Sequence, residues 1–235
     1  SLHPRSLDML KYILFKTKGV FMNSKIKIFF TLFMLIFTVL ACSLPEGIAV
    51  KDALPYEDDF SSSSSGWDRM TEEDFSTDYF DGYYVISIES QDYMAWANPG
   101  KNFSDIHIEV DATYIGGGLD NHFGVICRAV DVDNFYVMMI SSDGFYAITK
   151  RVEADSLSII GSEIFEFSDV ILQGVATNHI EVDCIGDTLS LTVNGTLLAE
   201  VQDTSFAMGD VGLLAGTFDV EDTKIAFDNF KVSLP

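Results

Sequence analysis

The chain has 235 residues, with 36 Asp+Glu against 14 Lys+Arg and a formal net charge of −22. Nucleic acid and anionic lipid both call for basic patches, so composition argues against either as a partner and favours neutral or cationic ones. Set apart from its N-terminal segment, a chain of this length makes one domain of ordinary size, and four scattered histidines, His3, His107, His122 and His179, give no metal-ligand spacing.

The first forty-two residues read as an export signal. Met22 to Lys27 is a short basic start, and Ile28 to Ala41 is uncharged and rich in Phe, Leu and Ile. Fourteen such residues fall short of the roughly 20 that span a bilayer but suit the apolar part of a signal peptide. Val39-Leu40-Ala41-Cys42 resembles a bacterial lipobox, which implies lipidation at Cys42 and an envelope protein held at a membrane by its acyl chains alone. Residues 1–21 precede Met22, read as upstream sequence or an extended basic region, and are set aside for fold reasoning.

Beyond Cys42 the balance is 8 Lys+Arg against 35 Asp+Glu, a net charge of −27. Residues 43–55, with Pro45, Gly47 and Pro55, suit a tether, and residues 56–235 form the domain. The Ser61–Ser65 run, flanked by Phe60 and Trp67, reads as a loop inside the fold. Strands are expected at Tyr83–Ile88 and Tyr93–Ala97. At Ile106–Tyr114, Ile106, Ile108, Val110, Ala112 and Tyr114 alternate with polar neighbours, the period of a strand with one dry and one wet face. Further strands follow at Phe123–Arg128, Phe135–Ile140, Phe145–Val152 and Leu157–Ile160. Phe167–Gln173 invites a short helix. Strands resume at His179–Cys184, Leu189–Val193, Leu197–Val201, Val211–Thr217 and Lys224–Val232. Asp143-Gly144, Gly186-Asp187 and Asn194-Gly195 mark hairpin turns. So many short strands with regular turns predict an all-β antiparallel sandwich. Cys127 and Cys184 are an even pair in an exported protein, either bridged or two buried thiols.

Asp58-Asp59-Phe60 with Ser61–Trp67, then Phe123–Arg128, Asp133–Tyr136 and Phe227-Asp228-Asn229-Phe230, resemble the concanavalin A-like lectin/glucanase superfamily. More narrowly, they are similar to the laminin-G-like and DUF1080-type domains of bacterial lipoproteins. The resemblance spans about residues 56 to 234. It implies a jelly roll of two curved sheets, with first and last strands adjacent and a concave face that often binds glycans. Its motifs specify a fold far better than an activity.

Laminarinase-type hydrolases of that superfamily carry Glu-x-Asp-x-(x)-Glu on one strand. Here Glu109-Val110-Asp111 and Glu181-Val182-Asp183 supply two carboxylates each and lack the third, so no catalytic residue is assigned. A binding site is expected where alternation fails. Phe123, Val125 and Cys127 read as core-facing, leaving His122 and Arg128 outward. Assigning Phe135, Val137 and Met139 to the core leaves Asn134 and Tyr136 outward, and Phe145–Lys150 is apolar on both faces. Tyr136, Tyr146 and Trp96 are therefore candidate platforms for sugar rings, with His122, Arg128 and Asn134 as hydrogen-bond partners. The opposing expectation is that loops such as Ser61–Asp74 cover this face and make it a second core. Asp58, Asp59 and Asp228, on strands that this topology joins, are candidate Ca²⁺ ligands. The functional expectation is a non-catalytic module binding carbohydrate or another neutral extracellular ligand. The alternatives are a structural or protein-interaction module, and a glycoside hydrolase.

Overall fold

The computed structural model describes residues 51–161 and 164–235. The export segment, Cys42 and residues 43–50 of the tether lie outside the described residues.

The described residues form strands and no helix: β1 (Tyr56–Asp58), β2 (Met70–Thr71), β3 (Phe75–Phe80), β4 (Tyr83–Ile88), β5 (Met94–Ala97), β6 (Ile106–Gly116), β7 (Asn121–Asp131) and β8 (Asn134–Ile140), then β9 (Phe145–Val152), β10 (Asp155–Ser158), β11 (Glu166–Phe167), β12 (Thr177–Ile185), β13 (Thr188–Val193), β14 (Thr196–Gln202), β15 (Asp210–Thr217) and β16 (Thr223–Ser233). The helix expected over Phe167–Gln173 is absent: Phe167 ends β11, and turns follow, closed by Ile171 N donating to Ser168 O and Gly174 N to Ser142 O.

One sheet has nine strands, ordered β14-β13-β12-β6-β16-β4-β3-β2 with β1 beside β16, and the other has seven, ordered β10-β9-β8-β7-β15-β5 with β11 beside β9. All pairings are antiparallel, and the first strand, β1, lies against the last, β16. The two sheets bury one large core between them, and the alternation of β6 delivers Ile106, Ile108, Val110 and Ala112 into it. Trp67 packs edge-on to Phe230 with centroids 4.9 Å apart and meets Phe60 at 5.5 Å. The serine loop and the segment after it therefore close an end of this core, not the open face of a sheet.

The sheets are also joined covalently. Cys127 of β7 and Cys184 of β12 form a disulfide, both buried. Beside it Arg128 has φ +53, and the β7–β8 register shifts between Cys127 and Asp131. This bulge turns the side chain of Arg128 from the open face, where strict alternation would set it, toward the junction of the sheets.

Candidate functional site

The outward face of the seven-stranded sheet is assembled by cross-strand partners, which in an antiparallel pair share a face. Gly124 lies opposite Met139 and Ile126 opposite Val137, while Leu214 is paired with both Gly124 and Trp96. Ile126, Phe135, Val137, Met139, Ala147 and Leu214 form a second apolar cluster there, joined by Met94, Trp96, Ile160 and Phe165. The face is thus partly covered, by the segment carrying Ile160 and Phe165 and not by Ser61–Asp74. What stays open is a groove of about 350 Å³. Its floor and walls are Met94, Phe135, Val137, Met139, Phe165 and Phe218, and Thr149, Ser156 and Ser158 bring hydroxyls.

His122 is the buried imidazole of the groove. It is 8% exposed, its ring lies 4.8 Å from that of Phe218, and its Nδ1 is buried without a hydrogen-bond partner. Burial lowers its pKa to about 4, so at neutral pH the ring is uncharged, with one nitrogen free to accept and one to donate. Gly216, its cross-strand partner, leaves room for the ring: a Cβ there would stand 2.4 Å from His122 Nε2.

Of the six residues expected to bind ligand, His122 and Trp96 lie on this face. Trp96 meets Phe135 at 5.5 Å and carries the Arg151 guanidinium 5.7 Å from its centroid. The other four do not line the groove. Tyr136 is paired with Cys127 and so shares its inward face; its hydroxyl donates to Asp203 Oδ1 at 2.6 Å and accepts from Phe206 N. Tyr146, opposite Ile140, also points inward, with its hydroxyl 2.8 Å from Glu166 Oε2. Asn134 braces a turn, donating from Nδ2 to Asp131 Oδ1 and accepting from Glu153 N at Oδ1. Arg128, 1% exposed, spends its guanidinium on the carbonyls of Ser104, Gly186, Phe206 and Cys184, with Asp105 at 3.5 Å. The phase expected for β8 was inverted, because both of its alternating sets are apolar and only pairing with β7 chooses between them.

The carboxylates considered for catalysis stand elsewhere. Glu109 and Asp111 of β6, and Glu181 and Asp183 of β12, alternate with core residues of the nine-stranded sheet and so face outward from it. His107 Nδ1 lies 2.8 Å from Asp183, His179 Nδ1 lies 2.7 Å from Asp111, and Lys231 Nζ lies 3.3 Å from Glu109. The groove itself has one carboxylate among the described residues, Asp92.

The expected calcium ligands do not converge. Asp58 accepts from Phe60 N at 2.9 Å and Trp67 Nε1 at 3.0 Å, and Asp59 accepts from Ser61. Asp228 accepts from Asn229 N. Among the described residues no group of three or more His, Cys, Asp or Glu side chains could hold a metal ion. Asp58 is a core anchor for the Trp67 indole, a role invisible in a bare Asp-Asp-Phe motif.

Residues 92–94, 149, 156, 158, 164–165 and 217–218 complete the groove and were not singled out from sequence. They come from five separate segments, and aromatic residues in acidic loops, Phe165 and Phe218, were the one available signal.

No family model and no curated protein matches the chain. Solved structures do. The chain is similar to a protein of unknown function with a galectin-like fold from Bacillus subtilis, at 11% identity and TM-score 0.56 over 76% of this chain and 94% of that one. It is similar to a Bacillus licheniformis β-glucanase at 9% identity and TM-score 0.55, covering 79% and 100% of the two chains. A native glycosidic hydrolase matches at 10% identity and TM-score 0.58, covering 80% and 100% of the two chains. At these identities the likeness is one of fold. The domain is an antiparallel jelly-roll β-sandwich of concanavalin A-like architecture.

Proposed function

We propose that this domain is a non-catalytic binding module that takes carbohydrate in the groove on its seven-stranded sheet, and that the chain is exported and lipid-anchored at Cys42 to the bacterial cell envelope. One observation carries the reading: an apolar groove lined by a buried imidazole whose Nδ1 has no hydrogen-bond partner. A buried polar atom without a partner costs about 1–3 kcal/mol, which a ligand hydroxyl seated beside it would recover. The apolar floor suits the C–H face of a sugar ring, and Thr149, Ser156 and Ser158 suit its hydroxyls. The non-catalytic half of the proposal is supported by the single carboxylate, since glycoside hydrolysis uses a facing pair.

The test is a glycan array followed by calorimetry on the best binder, with Phe165→Ala and His122→Phe as variants. Phe165 is a partly buried wall residue, so its truncation should weaken binding about tenfold or more while the melting temperature moves little. Unchanged affinity in both folded variants would overturn the groove assignment, and glycan cleavage by the parent would overturn the non-catalytic one. Labelling of the full chain with a fatty acid, lost in Cys42→Ala, tests the anchor.

A further inference from the structure

One end of the groove differs in charge from the rest. Asp92 lines the groove beside His122, Phe165 and Phe218. An adjoining hollow of about 210 Å³ shares those two phenylalanines and adds Asp120 and Asp143. Burial raises the Asp120 pKa, and the charges of Asp143 and Asp219 raise it further, so these carboxylates repel one another. Among the described residues none of Asp92, Asp120, Asp143 and Asp219 forms an ion pair. The aromatic rings stand edge to face, Phe165 to Phe218 at 5.6 Å and 87°. The buried imidazole of His122, tilted 39° to Phe218, leaves its Nδ1 without a hydrogen-bond partner and independently marks the same end as unfinished.

We propose that this end of the groove takes a positively charged amine, so that the ligand is a glycan bearing free amino groups: its ammonium lies against Phe165 and Phe218, between Asp92 of the groove and Asp120 and Asp143 of the adjoining hollow, and donates to His122. This rests on the carbohydrate reading of the groove and adds the substituent. Aromatic faces with nearby carboxylates are the chemistry that recognises ammonium groups. A metal ion is the poorer fit, because among the described residues the carboxylates do not converge into a coordinating group of three. An organic cation, whose charge is spread over a larger volume, needs no such convergence.

The experiment is calorimetric titration of the protein with three probes: a glucosamine oligomer, the same oligomer N-acetylated, and oligolysine. The expected result is that the free-amine oligomer binds about tenfold or more tighter than its acetylated form, in which an uncharged amide replaces the ammonium. That preference should shrink at high salt, as screening demands, and fall to about unity in Asp120→Asn/Asp143→Asn, changes that relieve repulsion between the two side chains and whose folding is checked by the melting temperature. Equal affinity for both oligomers overturns the cation site while leaving the carbohydrate reading intact. Oligolysine binding as tightly as the amino sugar, with no acetylated oligomer bound, upholds the cation site and overturns the carbohydrate reading. Binding of none of the three overturns both.

Discussion

Arg128→Met should cost this domain a large share of its stability. The guanidinium donates to four backbone carbonyls: Nε to Ser104 at 3.2 Å, Nη1 to Gly186 at 2.8 Å and Phe206 at 3.1 Å, and Nη2 to Cys184 at 3.0 Å. Methionine keeps most of the apolar stem, so little packing is lost and the four acceptors are what is stranded. Replacing a buried ion pair by apolar residues is often harmless because both partners go; here the carbonyls remain. A stranded buried acceptor costs about 1–3 kcal/mol, but each carbonyl has a second lone pair, and Ser104 and Gly186 lie near solvent, so four full penalties would overcount. A loss of about 3–5 kcal/mol follows, the range for removing one member of a buried charged network. In a domain of this size that lowers the melting temperature by about 10–15 °C. Urea unfolding of parent and variant, both with the disulfide intact, measures it through the shift in midpoint at constant slope. A loss under about 1 kcal/mol would refute the assignment of Arg128 as a clamp between the sheets. Arg128→Lys keeps the charge without the planar fork and should fall between the two.

Three further outcomes are expected. Opening the Cys127–Cys184 bridge, whose residues are 57 apart in sequence, should destabilise the domain by about 4 kcal/mol on loop-closure grounds, and its cost should be less than additive with Arg128→Met because Arg128 also holds the Cys184 carbonyl. Acid should weaken the fold through His122: burial holds its folded pKa at about 4 against 6.5 unfolded, so the unfolded chain binds the extra proton and stability falls as pH drops from about 6.5 to 4, by about 3 kcal/mol in all. Asp210, raised to about 6 by burial, acts in the opposite sense over the same range, so the His122 contribution is read as the difference between parent and His122→Phe melts from pH 7 to 4.5. Gly124→Ala should cost about 2–4 kcal/mol in chemical unfolding, because a Cβ would stand 2.1 Å from the Met138 carbonyl oxygen and force β7 from β8; a neutral result would mean the strands separate freely.

Much of the sandwich was legible from residue patterns. The alternation of Ile106 to Tyr114 reports a strand with one wet face, and β6 buries that set. Asn194-Gly195 and Asp143-Gly144 supply the positive φ that hairpin turns demand, and both sit at turns. The short strands β1 to β3 were not legible, since Phe75–Phe80 mixes Ser, Thr and Asp into a strand whose neighbours, β2 and β4, alone define it.

The site was legible only in outline. That β7 to β9 are apolar on both faces was sufficient to mark a sheet covered twice, and to bring His122 and Trp96 into view. Which set of β8 and β9 faces the groove lay beyond local pattern, because Phe135 and Tyr136 are equally good core residues and a one-residue phase change exchanges them. The partner strand decides: Cys127 must face inward to reach Cys184, so Tyr136 opposite it faces inward too. Arg128 escaped alternation through one left-handed residue, and Asp58 escaped the metal reading through an indole nine positions away. Composition and periodicity are properties of a segment and fix what kind of layer it joins. Facing, pairing and the partner of each buried charge are properties of segments brought together, and tertiary structure alone decided those.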